Sequence, residues 1–457
     1  MPPMDGVAVP HRLVIVLPST GEFDSRTYRI ATTCVARGHA VTILARSAPG
    51  LPAEDLDPAG YRIVRVAVDP IDAVPGGVLW RRLRRRRRGG AGAGQGWAGA
   101  SVPTVAPAAS AAPPLPRSAS RGILGRLQAA RRATVRMAAI ALTVRAQVAA
   151  ARAVDPAADL YHGMAFMGIP VALALGRRHG APVVYDARDI YLEARNLARL
   201  PGPARWLLAR TERGWARRSS RVMTVNRAYA EVMRDRLRVP LPLIVMNCSF
   251  RYQPPDPRER RFHDRFGLAP DRDVVLYHGG LFPDRGIEQL IAAIADVPTA
   301  ELVLMGYGAL EADLPRLIAA SPAAGRIHVM RAVPPEQLHD WVAAADIAAM
   351  PIQASTLNHR LTTPNKLFEA MAAGVPVVAS DLPGMATIVQ ATRCGTLCDP
   401  ADPASIARAI RAILEAPPGE RLAYALRGRQ AAEETYSWEA QADILLAEYG
   451  LLSGRPW

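Results

Sequence analysis

The sequence predicts an α/β protein with two Rossmann-like, doubly wound domains that face each other across a cleft. Short apolar runs alternate with longer helix-like stretches along most of the chain, which is typical of parallel sheets covered by helices on both faces. The alternation stops at a polar, proline-rich segment, residues 251–261, and then begins again. Because ligands bind beyond the carboxyl ends of the strands in such sheets, the cleft between the domains is the expected site.

The first domain is predicted to comprise residues 1–248. It begins with a buried strand at residues 12–17, and a helix then starts at Asp24, a good N-cap, and ends at Gly38. A long helix is expected at about residues 122–152. The other strands predicted for this domain are residues 40–45, 61–66, 159–162, 182–186, 221–225 and 243–246.

An insertion interrupts the first domain at about residues 76–120. It contains the run WRRLRRRRR, then GGAGAGQG, then a stretch rich in proline, alanine and serine. Such a composition cannot bury enough apolar surface to offset the entropy of ordering, so the sequence predicts a disordered insertion. Two interpretations of its arginine run stay open. The arginines could bind anionic lipid headgroups or nucleic acid, or they could be charged side chains that are simply solvated.

The second domain is predicted at residues 249–430, with residues 251–261 as the interdomain linker. The final residues, 431–457, are predicted to form a helical segment that packs back on the first domain. The strands predicted for the second domain are residues 273–278, 301–305, 326–329, 346–350 and 375–379.

The charge of the 457-residue chain is unevenly distributed. Its formal net charge is +15, and Lys366 is the only lysine among 56 basic residues. Residues 1–250 carry 37 basic and 16 acidic side chains, whereas residues 251–457 carry 19 and 25. A basic protein first suggests nucleic acid or an anionic membrane as the partner, but here only the first half has a positive excess.

Cysteine usage and hydropathy place the chain in a reducing cytoplasm. The four cysteines are too few and too scattered for a disulfide framework, and Cys394 and Cys398 lack a second pair or a histidine cluster for zinc. The first residues do not resemble a signal peptide. We expect no membrane span, because Arg136 and Arg145 bracket the most apolar window.

The sharpest local signal is LTTPNKLFEAMAAGVPVV, residues 361–378. Thr362 or Thr363 is predicted to cap a helix with Pro364 in its first turn. A lysine in a first turn is unfavourably placed for the helix dipole, unless an anion occupies the helix N-terminus. Lys366 is therefore interpreted as a phosphate ligand, with an ordinary surface lysine as the alternative. Glu369 lies three residues later on the same face.

Three weaker signals accompany it. In YHGGLFPDRGIEQL, residues 277–290, a strand enters a glycine turn, and Arg285 stands where a helix begins and could contact the same phosphate. LVLMGYG, residues 302–308, is a strand with a Gly-x-Gly turn, which alone is weak evidence for a nucleotide site. His162 ends a strand of the first domain, where both a structural and a functional role stay open.

Together these residues resemble glycosyltransferase family 4, whose members are retaining, nucleotide-sugar-dependent enzymes of GT-B fold. The resemblance is strongest in Pro364-Asn365-Lys366-x-Phe368-Glu369, with AxxAGVPVV behind it. Other matching stretches are the GG-x4-RG pattern around Arg285, LVLMGYG, VPPEQLHDWVAAADIAAMP, Asp24-x-Arg26, VVYDARD around Asp186, and RVMTVNRAYAE.

The resemblance implies specific roles at the site. Arg285 and Lys366 would bind the donor diphosphate, and Glu369 would hydrogen-bond the nucleotide ribose. Backbone around Val333 would contact the base, and His162 would lie near the donor sugar. The donor-binding set predicted from these motifs also includes Gly280, Thr363, Pro364 and Asn365.

Chemically, two cations and a helix N-terminus would stabilise the negative charge that grows on a departing diphosphate. No cofactor is expected beyond the nucleotide-sugar co-substrate, and no metal, since the two cations and the helix N-terminus already stabilise the charge of the departing diphosphate.

The sequence departs from the family pattern in several places. Leu361 stands eight residues before Glu369, where many members have a second glutamate. Gly280 occupies a position that is often arginine. The His-x-His pattern appears as His162-Gly163-Met164, without its second histidine, and the loop after the first strand has only Gly21 instead of paired glycines.

The function implied by the resemblance is transfer of a sugar from a nucleotide-diphosphate-sugar donor to a glycan or lipid-linked acceptor, in cell-envelope or exopolysaccharide synthesis. The expected location is the cytoplasm, with an anionic inner membrane surface as a further partner of the basic first half. No nucleic-acid partner is expected. Three alternatives stay open: a nucleotide-sugar epimerase of GT-B fold, a degenerate homologue without activity, and a nucleic-acid-binding protein that uses the arginine run.

Overall fold

The computed structural model describes residues 10–22, 24–68 and 123–457. They form two compact units: the first runs to Val245 and includes Ile444–Trp457, and the second is Met246–Asp443. Residues 251–261, predicted as the linker, thus lie within the second unit, and residues 431–457 are divided between the units at 443. The predicted insertion, 76–120, lies outside the described residues.

The first unit is built on an eight-stranded sheet with the order β3-β4-β2-β1-β5-β6-β7-β8. Its strands are β1 Arg12–Val16, β2 Ala40–Arg46, β3 Glu54–Leu56, β4 Arg62–Val66, β5 Leu160–Met164, β6 Val183–Asp186, β7 Arg221–Thr224 and β8 Leu243–Ile244. All neighbours are parallel except β3, which pairs antiparallel with β4. The seven predicted strands are found, and β3 is additional. All three residues of β3, EDL, are exposed, and two of them are acidic, so the sequence lacks the apolar pattern that predicts a strand.

The helices of the first unit begin with Ser25–Ala36, which Asp24 caps by accepting a hydrogen bond from the backbone N–H of Thr27, as predicted. The long predicted helix is observed as Ile123–Val154. The remaining helical segments are Ala165–His179, Tyr191–Glu193, Arg195–Ala198, Gly202–Ala216 and Arg227–Leu237. The last helix, Trp438–Ser453, belongs to this unit from Ile444 onward.

One helical stretch of the first unit meets a hydropathy criterion for membrane spans that we did not expect it to meet. By length and composition, the helical stretch Arg131–Val154 is apolar enough to cross a membrane, although we expected no such segment. The run of alanines around Arg145 raises the mean hydropathy despite the arginines. Length and composition alone are weak evidence of a span, since core helices of soluble proteins can meet the same criterion.

The second unit is built on a six-stranded parallel sheet with the order β11-β10-β9-β12-β13-β14. Its strands are β9 Asp273–Gly280, β10 Ala300–Tyr307, β11 Ile327–Met330, β12 Ile347–Met350, β13 Val377–Ser380 and β14 Gly395–Cys398. The five predicted strands are found, and β14 is additional. Along β9, Val274 and Leu276 pack into one apolar cluster and Val275 and Tyr277 into another. Both faces of the sheet are therefore covered, as the continuous apolar runs predict.

The helices of the second unit surround this sheet. They are Arg261–Phe266, Ile287–Ala293, Ile294–Asp296, Leu314–Ala319, Ala324–Arg326, Pro335–Gln337, Leu338–Ala343, Leu357–Leu361, Asn365–Ala372, Pro383–Thr392, Pro403–Leu414 and Pro418–Glu434. Two parallel, helix-covered sheets of this kind confirm the predicted pair of Rossmann-like domains.

Candidate functional site

The helix Asn365–Ala372 begins without a side-chain cap. Its N-cap residue is Pro364, which has φ −72° and ψ 146° and makes no capping hydrogen bond. The predicted cap by Thr362 or Thr363 is therefore wrong, and Pro364 precedes the first turn instead of lying in it. Thr363 itself is buried. An uncapped N-terminus presents its first amides and the positive end of the helix dipole, which favours an anion.

Lys366 lies in the first turn of this helix, with its ammonium in an unusual environment. Nζ is buried 3.5 Å from the centre of the Tyr277 ring, and among the described residues no acceptor lies within hydrogen-bond distance of it. Burial lowers the pKa of Lys366 well below its ordinary value, and the positive charge of Arg285 lowers it further, whereas Glu369 opposes the shift. Because a buried cation is costly without a partner, this environment favours a bound anion.

Arg285 lies in the turn between β9 and the helix Ile287–Ala293, as predicted. Its guanidinium is half-buried and, within the described part of the chain, makes no hydrogen bond or salt bridge to a side chain. The turn depends on Gly286, which has φ +78° and whose Cβ would lie 1.9 Å from the carbonyl oxygen of Pro351. The structure thus brings together the two cations that the sequence analysis assigned to a diphosphate.

Glu369 lies one turn after Lys366 and is paired with a histidine that the sequence analysis did not single out. Nε2 of His278 donates to Oε2 of Glu369 over 2.9 Å, and both side chains are buried. Nδ1 of His278 is also buried and has no hydrogen-bond partner among the described residues. The sequence feature that could have identified His278 is its position at the end of a predicted strand, beside the glycine turn.

The glycines of this region allow close approach of the backbone. Gly280 ends β9, and a Cβ there would lie 2.7 Å from the Phe282 ring. Gly279 has φ +104°, and a Cβ at that position would contact the Lys366 side chain. In LVLMGYG, a Cβ at Gly306 would lie 1.9 Å from the carbonyl oxygen of Gly279. Gly306 is therefore needed for the packing of β10 against β9. Because packing alone accounts for this glycine, the Gly-x-Gly pattern by itself is weak evidence for a nucleotide site.

Two other residues of the predicted donor set lie on loops and helix ends of the second unit. Val333 follows β11, is half-buried, and packs against the apolar core. Asn365 accepts a hydrogen bond of 2.8 Å from the side chain of Asn247. Their predicted contacts with the nucleotide remain predictions.

His162 has a different environment from the one that a sugar-contacting residue needs. It lies on β5, fully buried, with Nδ1 2.5 Å from the hydroxyl of Tyr449 and Nε2 3.2 Å from Oδ2 of Asp186. The same carboxylate oxygen accepts from Arg26 over 2.6 Å. Burial opposes ionisation of Asp186, but Arg26 and His162 outweigh it and hold the pKa of the carboxyl below its ordinary value. With both ring nitrogens occupied, His162 stabilises the interior of the first unit, and the structure does not support the catalytic role given to it.

The described residues contain no cluster of three or more His, Cys, Asp or Glu side chains that could bind a metal ion. Cys394 and Cys398 are buried free thiols, and burial raises the pKa of both.

Comparisons with known proteins agree with this organisation. Residues 272–416 match the family model described as glycosyl transferases group 1. A GDP-mannose-dependent α-(1-6)-phosphatidylinositol monomannoside mannosyltransferase of Mycolicibacterium smegmatis is 33% identical over 207 residues, which are 44% of this chain and 53% of that protein. A D-inositol 3-phosphate glycosyltransferase of Segniliparus rotundus is 34% identical over 40% of this chain and 41% of its own length. The chain spans about half the length of the curated relatives it matches.

Solved structures resemble the chain over almost its whole length. A sucrose-phosphate synthase from Thermosynechococcus elongatus aligns with a TM-score of 0.70 and 17% identity, covering 97% of this chain and 99% of that one. The Anabaena protein HepE, solved with UDP and glucose, aligns with a TM-score of 0.60 and 15% identity, covering 97% and 100%. At such identities the likeness concerns the fold, which is GT-B. The chain therefore has the GT-B fold of these structures, and its residues 272–416 are similar to the glycosyl transferases group 1 family, which agrees with the predicted resemblance to family 4.

Proposed function

We propose that this protein is a retaining glycosyltransferase that moves a hexosyl group from a nucleoside-diphosphate-sugar to a glycan or lipid-linked acceptor. The observation that carries the proposal is the buried ammonium of Lys366, which has no acceptor among the described residues and lies beside Arg285 at an uncapped helix N-terminus. A diphosphate is the biological anion that matches two adjacent cations and a set of free backbone amides.

The chemistry follows from where charge develops. As the bond between the anomeric carbon and the diphosphate oxygen breaks, negative charge grows on the departing phosphate and positive charge on the sugar ring. Lys366, Arg285 and the helix amides would stabilise the departing diphosphate, and this is electrostatic stabilisation fixed before the reaction begins. The acceptor hydroxyl then forms the new bond to the anomeric carbon on the face that the diphosphate leaves. In this proposal its proton passes to the departing phosphate, and the anomeric configuration is retained.

The remaining donor contacts come from the second unit. Glu369, oriented by His278, would accept a hydrogen bond from a ribose hydroxyl, and backbone near Val333 would contact the base. Thr363, Pro364 and Asn365 would shape the entry to the helix N-terminus. We propose that no metal takes part, since the two cations perform the charge neutralisation that a metal performs elsewhere.

For the acceptor and the setting, we propose a glycan or lipid-linked acceptor used in envelope or exopolysaccharide synthesis at the inner membrane surface. The names of the relatives support this choice, because they include a phosphatidylinositol monomannoside mannosyltransferase and a sulfoquinovosyl transferase of Arabidopsis thaliana. The anionic membrane partner is supported by the positive excess of residues 1–250.

A thermal-shift screen of nucleoside diphosphates and nucleotide sugars tests the donor site, because ligands that bind the folded state raise its melting temperature. We expect a response to at least one nucleoside diphosphate in the wild type and a much smaller one in Lys366→Ala. If no compound shifts the transition, the donor-site proposal is wrong. NMR of the anomeric proton in the product then tests retention, and conversion of the donor sugar without an acceptor would identify an epimerase instead.

A further inference from the structure

One face of the helix Gly202–Ala216 in the first unit combines exposed apolar side chains with exposed arginines. Leu208, Glu212 and Ala216 are buried on one side of this helix. The opposite side, which we call the Trp206 face, consists of the exposed residues Pro203, Trp206, Leu207 and Arg210, together with Arg217, the C-cap residue that follows the helix. These positions recur at the spacing of a helical face, so their side chains project in similar directions.

Two large apolar side chains on the Trp206 face are open to solvent. Trp206 is 65% exposed and Leu207 is 47% exposed. Adjacent exposed tryptophan and leucine are unusual on a monomeric surface and mark an interaction site more often than an isolated exposed leucine does. Tryptophan in particular favours the boundary between a hydrocarbon phase and water, since its ring is apolar and its N–H can hydrogen-bond.

The two charged residues of the Trp206 face are both positive. Arg210 and Arg217 are exposed, and in the described part of the chain neither forms a salt bridge. Glu212, the only carboxylate of the helix, is buried on the other side, where it accepts a hydrogen bond from the Tyr185 hydroxyl. The exposed face therefore offers cations without a competing carboxylate from its own helix, which suits an anionic partner.

A neighbouring helix extends the same character. Ile123–Val154 packs against Gly202–Ala216 and has six arginines and no acidic residue in its 32 residues. On it, Arg131 and Arg132 are exposed, and Val135 is 63% exposed. This second helix of the unit thus also carries exposed basic and apolar groups.

We propose that the Trp206 face, together with the exposed arginines and valine of the helix Ile123–Val154, docks on an anionic phospholipid surface. Trp206 and Leu207 enter the boundary between headgroups and acyl chains, while Arg210 and Arg217 bind phosphates of the headgroups. This inference rests on the membrane partner of the proposed function and assigns that partner to specific residues. Exposed aliphatic side chains beside the tryptophan favour a lipid surface over nucleic acid, which would gain little from Leu207 and Val135.

Co-sedimentation of the full-length protein with vesicles tests the surface. The vesicles are phosphatidylcholine alone, or phosphatidylcholine mixed with phosphatidylglycerol, at low and high salt. We expect Arg210→Gln/Arg217→Gln to weaken binding to the anionic vesicles by about 25-fold, since each arginine near an anionic membrane contributes about fivefold. We expect Trp206→Ala/Leu207→Ala to weaken it by at least about tenfold, with partial recovery in Trp206→Phe.

Matched controls lie in the second unit. Arg316→Gln/Arg408→Gln removes the same net charge from exposed side chains, and Leu422→Ala/Leu426→Ala removes comparable exposed apolar surface. Both controls should bind vesicles like the wild type. All the altered side chains are exposed, so the melting temperatures should stay close to that of the wild type.

Four results would overturn the inference: equal loss in the test and control variants, unchanged binding by both Trp206-face variants, equal binding to neutral vesicles, and tight binding to single-stranded RNA with none to vesicles. Nucleoside diphosphate binding is measured on the same variants by thermal shift. If the wild type binds nucleoside diphosphates but not vesicles, only the docking surface is refuted. If the wild type shows no thermal shift with any nucleoside diphosphate, the proposed function is refuted.

Discussion

Replacing Lys366 by methionine should have opposite effects on stability and on ligand binding. Methionine has a similar length and no charge, so it fills the same space over the Tyr277 ring. In the wild type, the buried ammonium has no hydrogen-bond acceptor in the described structure. An unsatisfied buried polar group costs about 1–3 kcal/mol, and a charged group costs more. The contact with Tyr277 recovers part of this cost, about 1–2 kcal/mol. Without ligand, Lys366→Met should therefore unfold at the same or a higher denaturant concentration than the wild type.

Ligand binding should change in the other direction. A charge-assisted hydrogen bond contributes about 1.5–3 kcal/mol, so loss of the ammonium should weaken nucleoside diphosphate binding by about 10- to 150-fold. Calorimetric titration with UDP, GDP and ADP measures this change, and inorganic pyrophosphate shows whether the effect resides in the phosphates. Arg408→Met is the control, because it removes one exposed cation of the same unit.

The pH dependence gives a further check on Lys366. The pKa of its ammonium is lowered by burial and by Arg285, so the group loses its proton at a lower pH than an ordinary lysine. A bound diphosphate stabilises the protonated form. Wild-type affinity should therefore fall as pH rises through this lowered pKa, with proton uptake on binding, and Lys366→Met should lack that component. Equal affinity of the variant and the wild type at every pH tested would refute the assignment of Lys366 as a diphosphate ligand.

Three other predictions concern the stability of the units. Burial raises the pKa of Glu212 to about 7, from 4.5 in the unfolded chain. Between these two pH values Glu212 is protonated in the folded state and ionised in the unfolded state. Its contribution to the free energy of unfolding therefore falls as pH rises through this range, by roughly 3 kcal/mol in total. Glu212→Gln should remove that dependence in urea denaturation at about pH 5 and pH 8, while an unchanged slope would show that Glu212 ionises normally. Asp186→Asn leaves Arg26 buried without an anion and should destabilise the first unit by about 3–5 kcal/mol, measured as a lower urea midpoint. A midpoint like that of the wild type would mean that the pair is not isolated from water. Gly306→Ala places a Cβ 1.9 Å from the carbonyl oxygen of Gly279 and should destabilise the second unit, by about 1–3 kcal/mol or more. Gly325→Ala, which has open space around the Cβ position, is the matched control, and equal melting temperatures would contradict the packing argument.

The sequence predicts most strands of both sheets, because buried parallel strands consist of continuous apolar runs that composition alone reveals. It does not predict β3 and β14, whose residues, EDL and GTLC, pair at the sheet edges without an apolar pattern. The sequence also does not predict how the helix that contains Lys366 begins. A threonine beside a proline can either cap the N-terminus of a helix or be buried, and tertiary packing decides between the two.

The site shows the same division between pattern and packing. Arg285 and Lys366 are identifiable from the sequence because they lie at or next to the start of a helix, and Glu369 is identifiable because it follows Lys366 by three residues on the same helical face. His278 is not, because its importance depends on a hydrogen bond between β9 and a helix that begins 85 residues after that strand ends. For His162 the position on a strand end suggests function, but the burial of both ring nitrogens against Asp186 and Tyr449 could only come from the fold.

The single lysine in a chain that otherwise uses arginine is best explained by the space around it. The ammonium lies 3.5 Å above the centre of the Tyr277 ring, and a Cβ at Gly279 would lie 3.8 Å from Nζ. A compact ammonium fits between a ring and a glycine, whereas a planar guanidinium needs more room and a forked partner. Arg285, half-buried in an open turn, has the room for that fork. Around the same anion, the compact ammonium of Lys366 would supply charge, and the planar guanidinium of Arg285 would supply orientation. The positive excess of residues 1–250 contributes neither, so the affinity for a nucleoside diphosphate should depend only weakly on the arginines of the first unit, whereas binding to anionic vesicles should depend on them strongly.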